Sequence, residues 1–292
     1  MKRILVSGGS GFVSQNIIHY FESKGYDVWY LTRSITNKKN AISIDITNKS
    51  DVECKIKLKQ IDAIIHVAAH IPEPENKQDL DLCQKVNFDS TNLLLKYSCD
   101  NDIKKFIYIS SLSIFDENKE LVIDENTVPN PKSEYSISKL SAEYLCRFYY
   151  RNYGIEAPIL RLGTVYGRGM NNNRMIPFFI KKCLANEEIE VYKPNIQLNM
   201  VYINDVVSVI ENLLYAETTI YHFATETLTK KDLVDRIVLC TNSNSKINFS
   251  KVSYPELKMF SIKKIISVLK QNDLSFCTVN EGLKDYIKNC ML

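Results

Sequence analysis

Three side chains in the middle of the chain could carry out proton transfer together. Ser111 follows an apolar run, Phe106-Ile107-Tyr108-Ile109-Ser110, while Tyr135 and Lys139 stand four residues apart in a segment of helical periodicity. Side chains at that spacing share one face of a helix. A phenol, whose pKa is ordinarily about 10, is a poor acid or base at neutral pH, but a nearby ammonium lowers that pKa. The set predicts proton exchange with a substrate oxygen that Ser111 also binds.

A glycine-rich turn near the start of the chain indicates where a second reactant would bind. Gly8-Gly9-Ser10-Gly11 lies between the strand-like run Arg3–Val6 and a segment of helical periodicity. Strand, glycine turn and helix in this order are typical of a dinucleotide site. Gly8 permits the tight turn, Gly11 lets the backbone approach a pyrophosphate, and the helix N-terminus favours its charge. Ser14 occupies the position where a third glycine is common.

The end of the next predicted strand bears on the choice of dinucleotide. Val28–Leu31 reads as a strand that ends at Thr32-Arg33-Ser34. An acidic residue at this place binds the ribose hydroxyls of NAD, whereas an arginine accommodates the 2′-phosphate of NADP. Arg33 therefore favours NADP(H), with NAD(H) left open. The alternative is that Arg33 is an ordinary surface residue.

The order of apolar runs predicts the architecture that positions these residues. Ile61–Ala68 and Ile155–Leu162 are almost continuously apolar, as expected of parallel strands buried on both faces. Alternation of such strands with helices predicts an α/β fold, a Rossmann-type doubly wound parallel sheet. His66 lies inside the first run and is interpreted as a packed core histidine rather than a ligand. A smaller mixed α/β substrate domain is predicted for 167–197 and 225–292, and the dinucleotide domain for 1–166 and 198–224.

Composition limits the other classes of function. The 292 residues carry 37 basic and 34 acidic side chains, a net charge of +3 that is spread along the chain and gives no nucleic-acid footprint. No apolar stretch approaches the roughly 20 residues of a membrane span. Eight cysteines lie scattered, with no pattern that predicts a metal site. Because the chain opens directly on a strand, a reduced cytoplasmic protein without a signal peptide is expected.

Taken together, the motifs resemble the extended short-chain dehydrogenase/reductase family of nucleotide-sugar epimerases, dehydratases and reductases. The resemblance extends over essentially the whole chain. The matching segments are Gly8-Gly9-Ser10-Gly11-Phe12-Val13, Asp45-Ile46, His66-Val67-Ala68-Ala69, Asn87 ahead of Thr91-Asn92-Leu93-Leu94, Ile109-Ser110-Ser111, Tyr135-Ser136-Ile137-Ser138-Lys139, Leu160-Arg161-Leu162 with Tyr166-Gly167, and Val201-Tyr202-Ile203-Asn204-Asp205.

The resemblance implies a role for each matching residue. Tyr135 would be the acid/base, Lys139 would bind the nicotinamide ribose and tune Tyr135, and Ser111 would orient the sugar oxygen. It also implies a homodimer formed through a helical bundle, with the Tyr135–Tyr150 helix as a candidate face. The remaining expected cofactor-binding residues are Gly8, Ser10, Gly11, Phe12, Val13, Arg33, Asp45, Ile46, Val67, Ala68, Ala69 and Asn87.

Several residues depart from the family pattern. Leu112 and Ser113 stand where the dehydratases carry an Asp-Glu pair, so elimination of water lacks its usual acid and base. Thr164 replaces an asparagine that contacts the sugar nucleotide in many members, and Leu198 replaces an arginine that binds its diphosphate. Thr164 remains a candidate substrate contact. Arg168 or Arg174 could supply the missing charge, or each could be a surface residue.

Three functions fit these features. The favoured one is an NADPH-dependent reductase of a 4-keto nucleotide sugar, with a 4-keto-6-deoxyhexose as the favoured sugar, in the biosynthesis of surface-polysaccharide sugars. A nucleotide-sugar 4-epimerase needs the same Ser111, Tyr135 and Lys139 but keeps NAD bound. A non-catalytic NAD(P)-binding sensor is the third, and the complete catalytic set argues against it. Arg33 is the main residue that separates the first two.

Overall fold

The computed structural model describes residues 2–34, 38–57, 60–72, 79–116, 119–252, 256–269 and 275–290. The chain divides into two compact units that interleave along the sequence. The first consists of Met1–Asn118, Val128–Arg161 and Val209–Tyr221, and the second of Lys119–Thr127, Leu162–Ser208 and His222–Leu292. The functions assigned to the two predicted domains stay predictions.

Strands and helices follow one another closely along the described residues. The strands are β1 (Arg3–Ser7), β2 (Asp27–Thr32), β3 (Ala41–Ser43), β4 (Ala63–His66), β5 (Lys105–Ser111), β6 (Val122–Ile123), β7 (Ile159–Leu162), β8 (Thr164–Tyr166), β9 (Ile189–Val191), β10 (Gln197–Tyr202), β11 (Ile220–Phe223), β12 (Glu226–Thr229), β13 (Ile247–Phe249) and β14 (Met259–Phe260). The helices are α1 (Phe12–Ser23), α2 (Lys49–Lys55), α3 (Asp79–Cys83), α4 (Ser90–Asp100), α5 (Glu134–Tyr153), α6 (Met175–Leu184), α7 (Ile203–Leu213), α8 (Lys230–Thr241), α9 (Lys263–Val268) and α10 (Val279–Cys290).

A parallel sheet dominates the first unit, as the alternation of strands and helices predicts. Its strand order among the described residues is β11-β7-β5-β4-β1-β2-β3. Parallel pairing sets Val6 opposite Tyr30 of β2 and Ile65 of β4. The central strands are buried along their length, because helices cover both faces. The carboxyl ends of parallel strands share one edge, which is where ligands bind in open sheets of this kind.

Helix α5 has well-defined ends, and they fix the position of Tyr135. Ser133 caps the N-terminus, where its side chain accepts from the Ser136 N–H and the Ser136 hydroxyl accepts from the Ser133 N–H. Gly154 ends the helix at a φ of +68°, the left-handed conformation that glycine adopts without strain. Tyr135 therefore lies in the first turn of a 20-residue helix whose start is set by its own cap.

The helix predicted over Asp79–Cys99 is interrupted in the structure. A π-helical segment, Gln84–Asp89, separates α3 from α4. The helical periodicity of the sequence did not reveal this short segment. Segments of this kind are frequent at functional sites, and this one contains Asn87.

The second unit contains smaller sheets, of order β12-β10-β8, β13-β9 and β14-β6 among its described residues. Thr229 caps α8, with its side chain accepting from the Asp232 N–H, as the sequence indicates. In the described ranges no helix is both long enough and apolar enough to cross a membrane.

Candidate active site

Ser111, Tyr135 and Lys139 meet in the first unit. Ser111 is the last residue of β5, and its hydroxyl interacts with the Tyr135 phenol closely enough to affect the pKa of that phenol. The same hydroxyl accepts from the Ser113 N–H at 3.1 Å and donates to the Ser113 hydroxyl at 3.0 Å. Lys139 lies one helical turn after Tyr135 and is buried, with its Nζ 4.3 Å from the centre of the Tyr108 ring.

Burial decides the ionisation of Tyr135. Desolvation raises the pKa of Tyr135 to about 12, although the neighbouring Ser111 hydroxyl acts to lower it. This differs from the expectation that Lys139 depresses the pKa of Tyr135, because the loss of water around the phenol dominates. Tyr135 is therefore a neutral phenol at neutral pH, the form that can donate a proton.

Burial also acts on Lys139. Desolvation lowers the pKa of Lys139 to about 7, against the opposing effect of the Glu143 carboxylate. Lys139 consequently changes its charge near neutral pH. A charged Lys139 favours loss of the Tyr135 proton when the substrate oxygen accepts it.

A buried ion pair supports this part of α5. Glu143 lies four residues after Lys139, and its carboxylate receives the Arg161 guanidinium, with Nη2 2.7 Å from Oε2 and Nε 3.0 Å from Oε1. The Ser110 hydroxyl donates to the same carboxylate at 2.5 Å. Both charged side chains are about 2% exposed. The pair joins α5 to the ends of β5 and β7 beside the catalytic set.

Replacing Glu143 with alanine should lower the free energy of unfolding by about 3–5 kcal/mol, because the Arg161 charge would remain buried without its partner. Urea unfolding followed by circular dichroism measures this difference. Glu53→Ala is the matched control, since Glu53 forms an exposed pair with Lys49 and should change stability little. Equal stability of Glu143→Ala and the parent protein would show that the pair does not hold the helix.

The glycine turn has the shape that a dinucleotide requires. Gly8 adopts a φ of +74°, and a Cβ on it would lie 2.8 Å from the Cα of Ala68. Gly11 precedes α1, and no side chain caps the helix there. Ser10 and Gly11 are exposed. The backbone N–H groups at the start of α1 can therefore meet a pyrophosphate, which fits the bound dinucleotide expected from the sequence.

The other expected cofactor residues follow neighbouring strands at the same edge of the sheet. Arg33 is exposed after β2, and Asp45 is exposed after β3 with its Oδ1 accepting from the N–H and hydroxyl of Thr47. Ala69 is exposed after β4, whereas Ala68 and Ile46 are buried in the core cluster. The remaining expected residues are Phe12 and Val13, half-buried in the first turn of α1, and Val67, half-buried after β4.

Asn87 is buried and bonded to protein groups, whereas a residue that binds the cofactor is expected to be accessible. Its side chain is fully buried, with Oδ1 accepting from the His70 N–H at 2.6 Å. Its Nδ2 donates to the His70 carbonyl and to the Ser138 hydroxyl, each at 2.9 Å. These partners engage the amide oxygen and both amide protons, so direct contact of Asn87 with the cofactor stays a prediction and its observed role is to hold protein segments together.

The expected substrate residues of the second unit lie apart from one another along the chain. Thr164 is half-buried in β8, opposite Met200 of β10. Leu198 is buried in β10, opposite Leu228. Arg168 and Arg174 are both exposed, and Arg174 stands at the N-cap of α6. Their contact with a sugar nucleotide stays a prediction.

Comparison with known proteins decides the family. Residues 4–223 match the NAD dependent epimerase/dehydratase family. The chain is 33% identical over 215 residues to a Methanocaldococcus jannaschii protein named "Putative UDP-glucose 4-epimerase", covering 70% of each chain. This protein belongs to the NAD-dependent epimerase/dehydratase family. The resemblance to extended short-chain dehydrogenases/reductases is thereby confirmed.

Other members of the family show how widely the fold is used. The human dTDP-D-glucose 4,6-dehydratase is 27% identical over 227 residues, which are 70% of this chain and 63% of that protein. The Thermotoga maritima UDP-glucose 4-epimerase structure superposes with a TM-score of 0.88 at 22% identity, covering 99% of this chain and 98% of that one. A UDP-glucuronic acid 4-epimerase from Bacillus cereus gives 0.84 at 24%, covering 99% of both. The Rossmann-type architecture is confirmed.

The sequence did not predict the ion pair of Glu143. It also did not predict the buried hydrogen bonds that His66, Thr91 and Ser138 make in this epimerase/dehydratase fold. Glu143 carried a usable signal, since it repeats the four-residue spacing from Tyr135 to Lys139 on the same helix face. The buried hydrogen-bond partners left no signal in the sequence, because their pairing depends on which strands become neighbours.

Proposed function

We propose that the protein is an NADPH-dependent reductase of a 4-keto nucleotide sugar, with a 4-keto-6-deoxyhexose as the sugar. The observation that carries the proposal is the end of β2, where Thr32 is followed by the exposed residues Arg33 and Ser34. No carboxylate stands among these three residues, and the Thr32 hydroxyl accepts from the Ser34 N–H at 3.2 Å. An arginine here pairs with a 2′-phosphate, whereas an NAD ribose prefers an acidic partner.

The catalytic set can deliver the proton that ketone reduction consumes. NADPH, when bound, supplies the hydride to C4 of the sugar. Tyr135 donates its phenolic proton to the oxygen on that carbon, and Ser111 donates a hydrogen bond to the same oxygen as negative charge develops on it. A charged Lys139 stabilises the resulting Tyr135 phenolate.

The protonated state of Tyr135 in the free protein is compatible with reduction. Because burial raises the pKa of Tyr135 to about 12, the free protein holds the phenol from which reduction starts. An epimerase starts by removing a proton from a hydroxyl and needs the phenolate. Leu112 is buried and Ser113 carries a hydroxyl, so neither supplies the carboxyl group on which dehydration depends.

A nucleotide-sugar 4-epimerase is the second candidate, and the comparisons favour it. The Bacillus cereus structure holds UDP-glucuronic acid and NAD, and the Thermotoga maritima structure holds UDP-glucose. Ser111, Tyr135 and Lys139 would serve both reactions. The same relatives support a nucleotide sugar as the ligand, for which Thr164, Arg168 and Arg174 are the candidate contacts.

The two candidates predict different behaviour of the purified protein. A reductase consumes NADPH when a 4-keto-6-deoxy nucleotide sugar is added, and the absorbance of the reduced nicotinamide falls. An epimerase retains NAD during purification and interconverts a UDP-sugar and its C4 epimer with no added nicotinamide. Retained NAD, together with no loss of NADPH absorbance with any 4-keto nucleotide sugar, would overturn the reductase proposal.

We also propose that the protein is a homodimer through α5. Ile137, Tyr144 and Phe148 are spaced seven and four residues apart and so share a face, and each is at least half exposed. Apolar side chains in such a row at the surface mark an interaction site. This apolar face lies on α5, the helix that the resemblance indicates as the dimer contact.

Changing Phe148 to glutamate should convert the dimer to a monomer, because a charge would be buried within the apolar face. Sedimentation velocity reports the molecular mass of both proteins. Tyr192→Glu, which alters another exposed aromatic residue, in the second unit, should leave the dimer intact. A monomeric parent protein, or a dimeric Phe148→Glu variant, would refute this interface.

A further inference from the structure

His66 lies at the centre of a buried hydrogen-bond chain that begins at the glycine turn. Its ring has no exposed surface. The Nδ1 atom lies 2.6 Å from the hydroxyl of Ser7, the last residue of β1, and the Nε2 atom lies 2.9 Å from the hydroxyl of Thr91 in α4. The imidazole thus bridges the strand that leads into the glycine turn and a helix on the face of the sheet.

Only one arrangement of protons satisfies these bonds. The Thr91 hydroxyl donates to the Asn87 carbonyl at 2.7 Å, so it must accept from Nε2–H of His66. The Ser7 hydroxyl already accepts from the N–H groups of Val67 and Ala68 at 3.0 and 3.1 Å, so it donates to Nδ1. The imidazole is neutral with its proton on Nε2. Burial, with a further effect of Lys139, lowers the pKa of His66 to about 3, in agreement with this form.

The hydrogen-bond chain continues from α4 to α5, the helix that carries Tyr135. The carbonyl of Asn87 accepts from Thr91, and the side chain of Asn87 donates to the Ser138 hydroxyl at 2.9 Å. That hydroxyl donates in turn to the carbonyl of Tyr135 at 2.8 Å. Every member of the chain except Tyr135 is buried.

We propose that His66 is a positioning residue: through Ser7, Thr91, Asn87 and Ser138 it fixes Tyr135 relative to the turn that binds the dinucleotide. The role deepens the proposed function, on which it rests, because hydride and proton must reach adjacent atoms of one carbonyl group. The glycine turn places the hydride donor, and α5 places the proton donor. A displacement of about 1 Å between such groups can cost on the order of 100-fold in rate.

Thr91→Val tests the link, because it removes the hydroxyl while keeping the shape of the side chain. We expect turnover to fall by roughly 10- to 100-fold, with the dissociation constant for NADPH changed by less than about threefold, since no dinucleotide contact is altered. Thr91→Ser keeps the hydroxyl and should retain turnover close to that of the parent protein. Equal turnover of Thr91→Val and the parent, or equal losses in Thr91→Val and Thr91→Ser, would overturn the proposal.

Ser138→Ala breaks the same hydrogen-bond chain at its other end. This variant tests the proposal if Thr91→Val does not fold. It should reproduce the loss of turnover. Because both changes interrupt one linkage, the double variant should lose no more than the more damaged single variant. Losses that multiply in the double variant would show two independent packing effects instead of one chain.

A measurement without substrate separates this inference from the proposed function. The four histidines of the chain make nitrogen-15 spectra of the imidazoles simple to assign. His66 should stay neutral with its proton on Nε2 at about pH 5, where an ordinary histidine is charged. In Thr91→Val the imidazole nitrogen signals of His66 should shift, and the ring signals of Tyr135 should shift with them. The ring signals of Tyr135 are assigned by their absence from the spectrum of Tyr135→Phe. Unshifted Tyr135 signals would overturn the link, whether or not the parent protein reduces a sugar.

Discussion

Replacing Tyr135 with phenylalanine should lower the turnover of the nucleotide sugar by about two orders of magnitude or more, the usual contribution of a positioned general acid. The variant keeps the ring and loses only the hydroxyl that interacts with Ser111. Neither the glycine turn nor Arg33 is touched, so the dissociation constant for NADPH should stay within about threefold of the parent value. Steady-state kinetics and a fluorescence titration with NADPH measure the two quantities.

Tyr149→Phe is the matched control for this prediction. Tyr149 lies on the same helix, and its hydroxyl bonds with Asn92, away from the catalytic set. Its loss should leave turnover nearly unchanged. Near-normal turnover in Tyr135→Phe would remove Tyr135 from the role of proton donor, and a large loss in both variants would point to a general effect on α5.

Replacing Arg33 with alanine should weaken NADPH binding by roughly 10- to 100-fold, since hydrogen bonds to a charged group contribute about 1.5–3 kcal/mol. NADH lacks the 2′-phosphate, so its dissociation constant should change little. Titration of each dinucleotide into the parent protein and the variant gives the ratio of the two effects.

Lys24→Ala provides the control for Arg33→Ala. Lys24 is also exposed and cationic, but it precedes the first residue of β2, whereas Arg33 follows the last. Its removal should weaken neither dinucleotide. An equal loss of NADPH and NADH affinity in Arg33→Ala would contradict contact with the 2′-phosphate and would favour the NAD-dependent epimerase.

The sheet and the proximity of Ser111, Tyr135 and Lys139 could be predicted because their signals are local; the catalytic role of the three residues stays a prediction. Continuous apolar runs such as Ile61–Ala68 identify buried parallel strands, although only Ala63–His66 forms the strand itself. The spacing from Tyr135 to Lys139 places both on one helix face. Gly8 stands where a positive φ and a close backbone approach exclude every larger residue.

Features that depend on tertiary packing could not be predicted. The expectation of a lowered pKa for Tyr135 differs from the structure, in which desolvation raises this pKa, because the sequence does not show how much water the phenol loses on folding. The interpretation of His66 as a packed histidine agrees with its burial, but its bonds to Ser7 and Thr91 arise only when β1, β4 and α4 come together. The bonds of the Asn87 side chain to His70 and Ser138 likewise join residues distant in sequence.

Transfer of deuterium is the most direct test of the proposed reaction. The protein is mixed with a 4-keto-6-deoxy nucleotide sugar and NADPH that carries deuterium on the transferred position of its nicotinamide ring. A reductase places one deuterium on C4 of the sugar for each NADPH oxidised, and Tyr135→Phe slows this transfer. No deuterium on C4 with the added NADPH unchanged, together with interconversion of a UDP-hexose and its C4 epimer by the same protein without added nicotinamide, would contradict the reductase and favour the epimerase in its place.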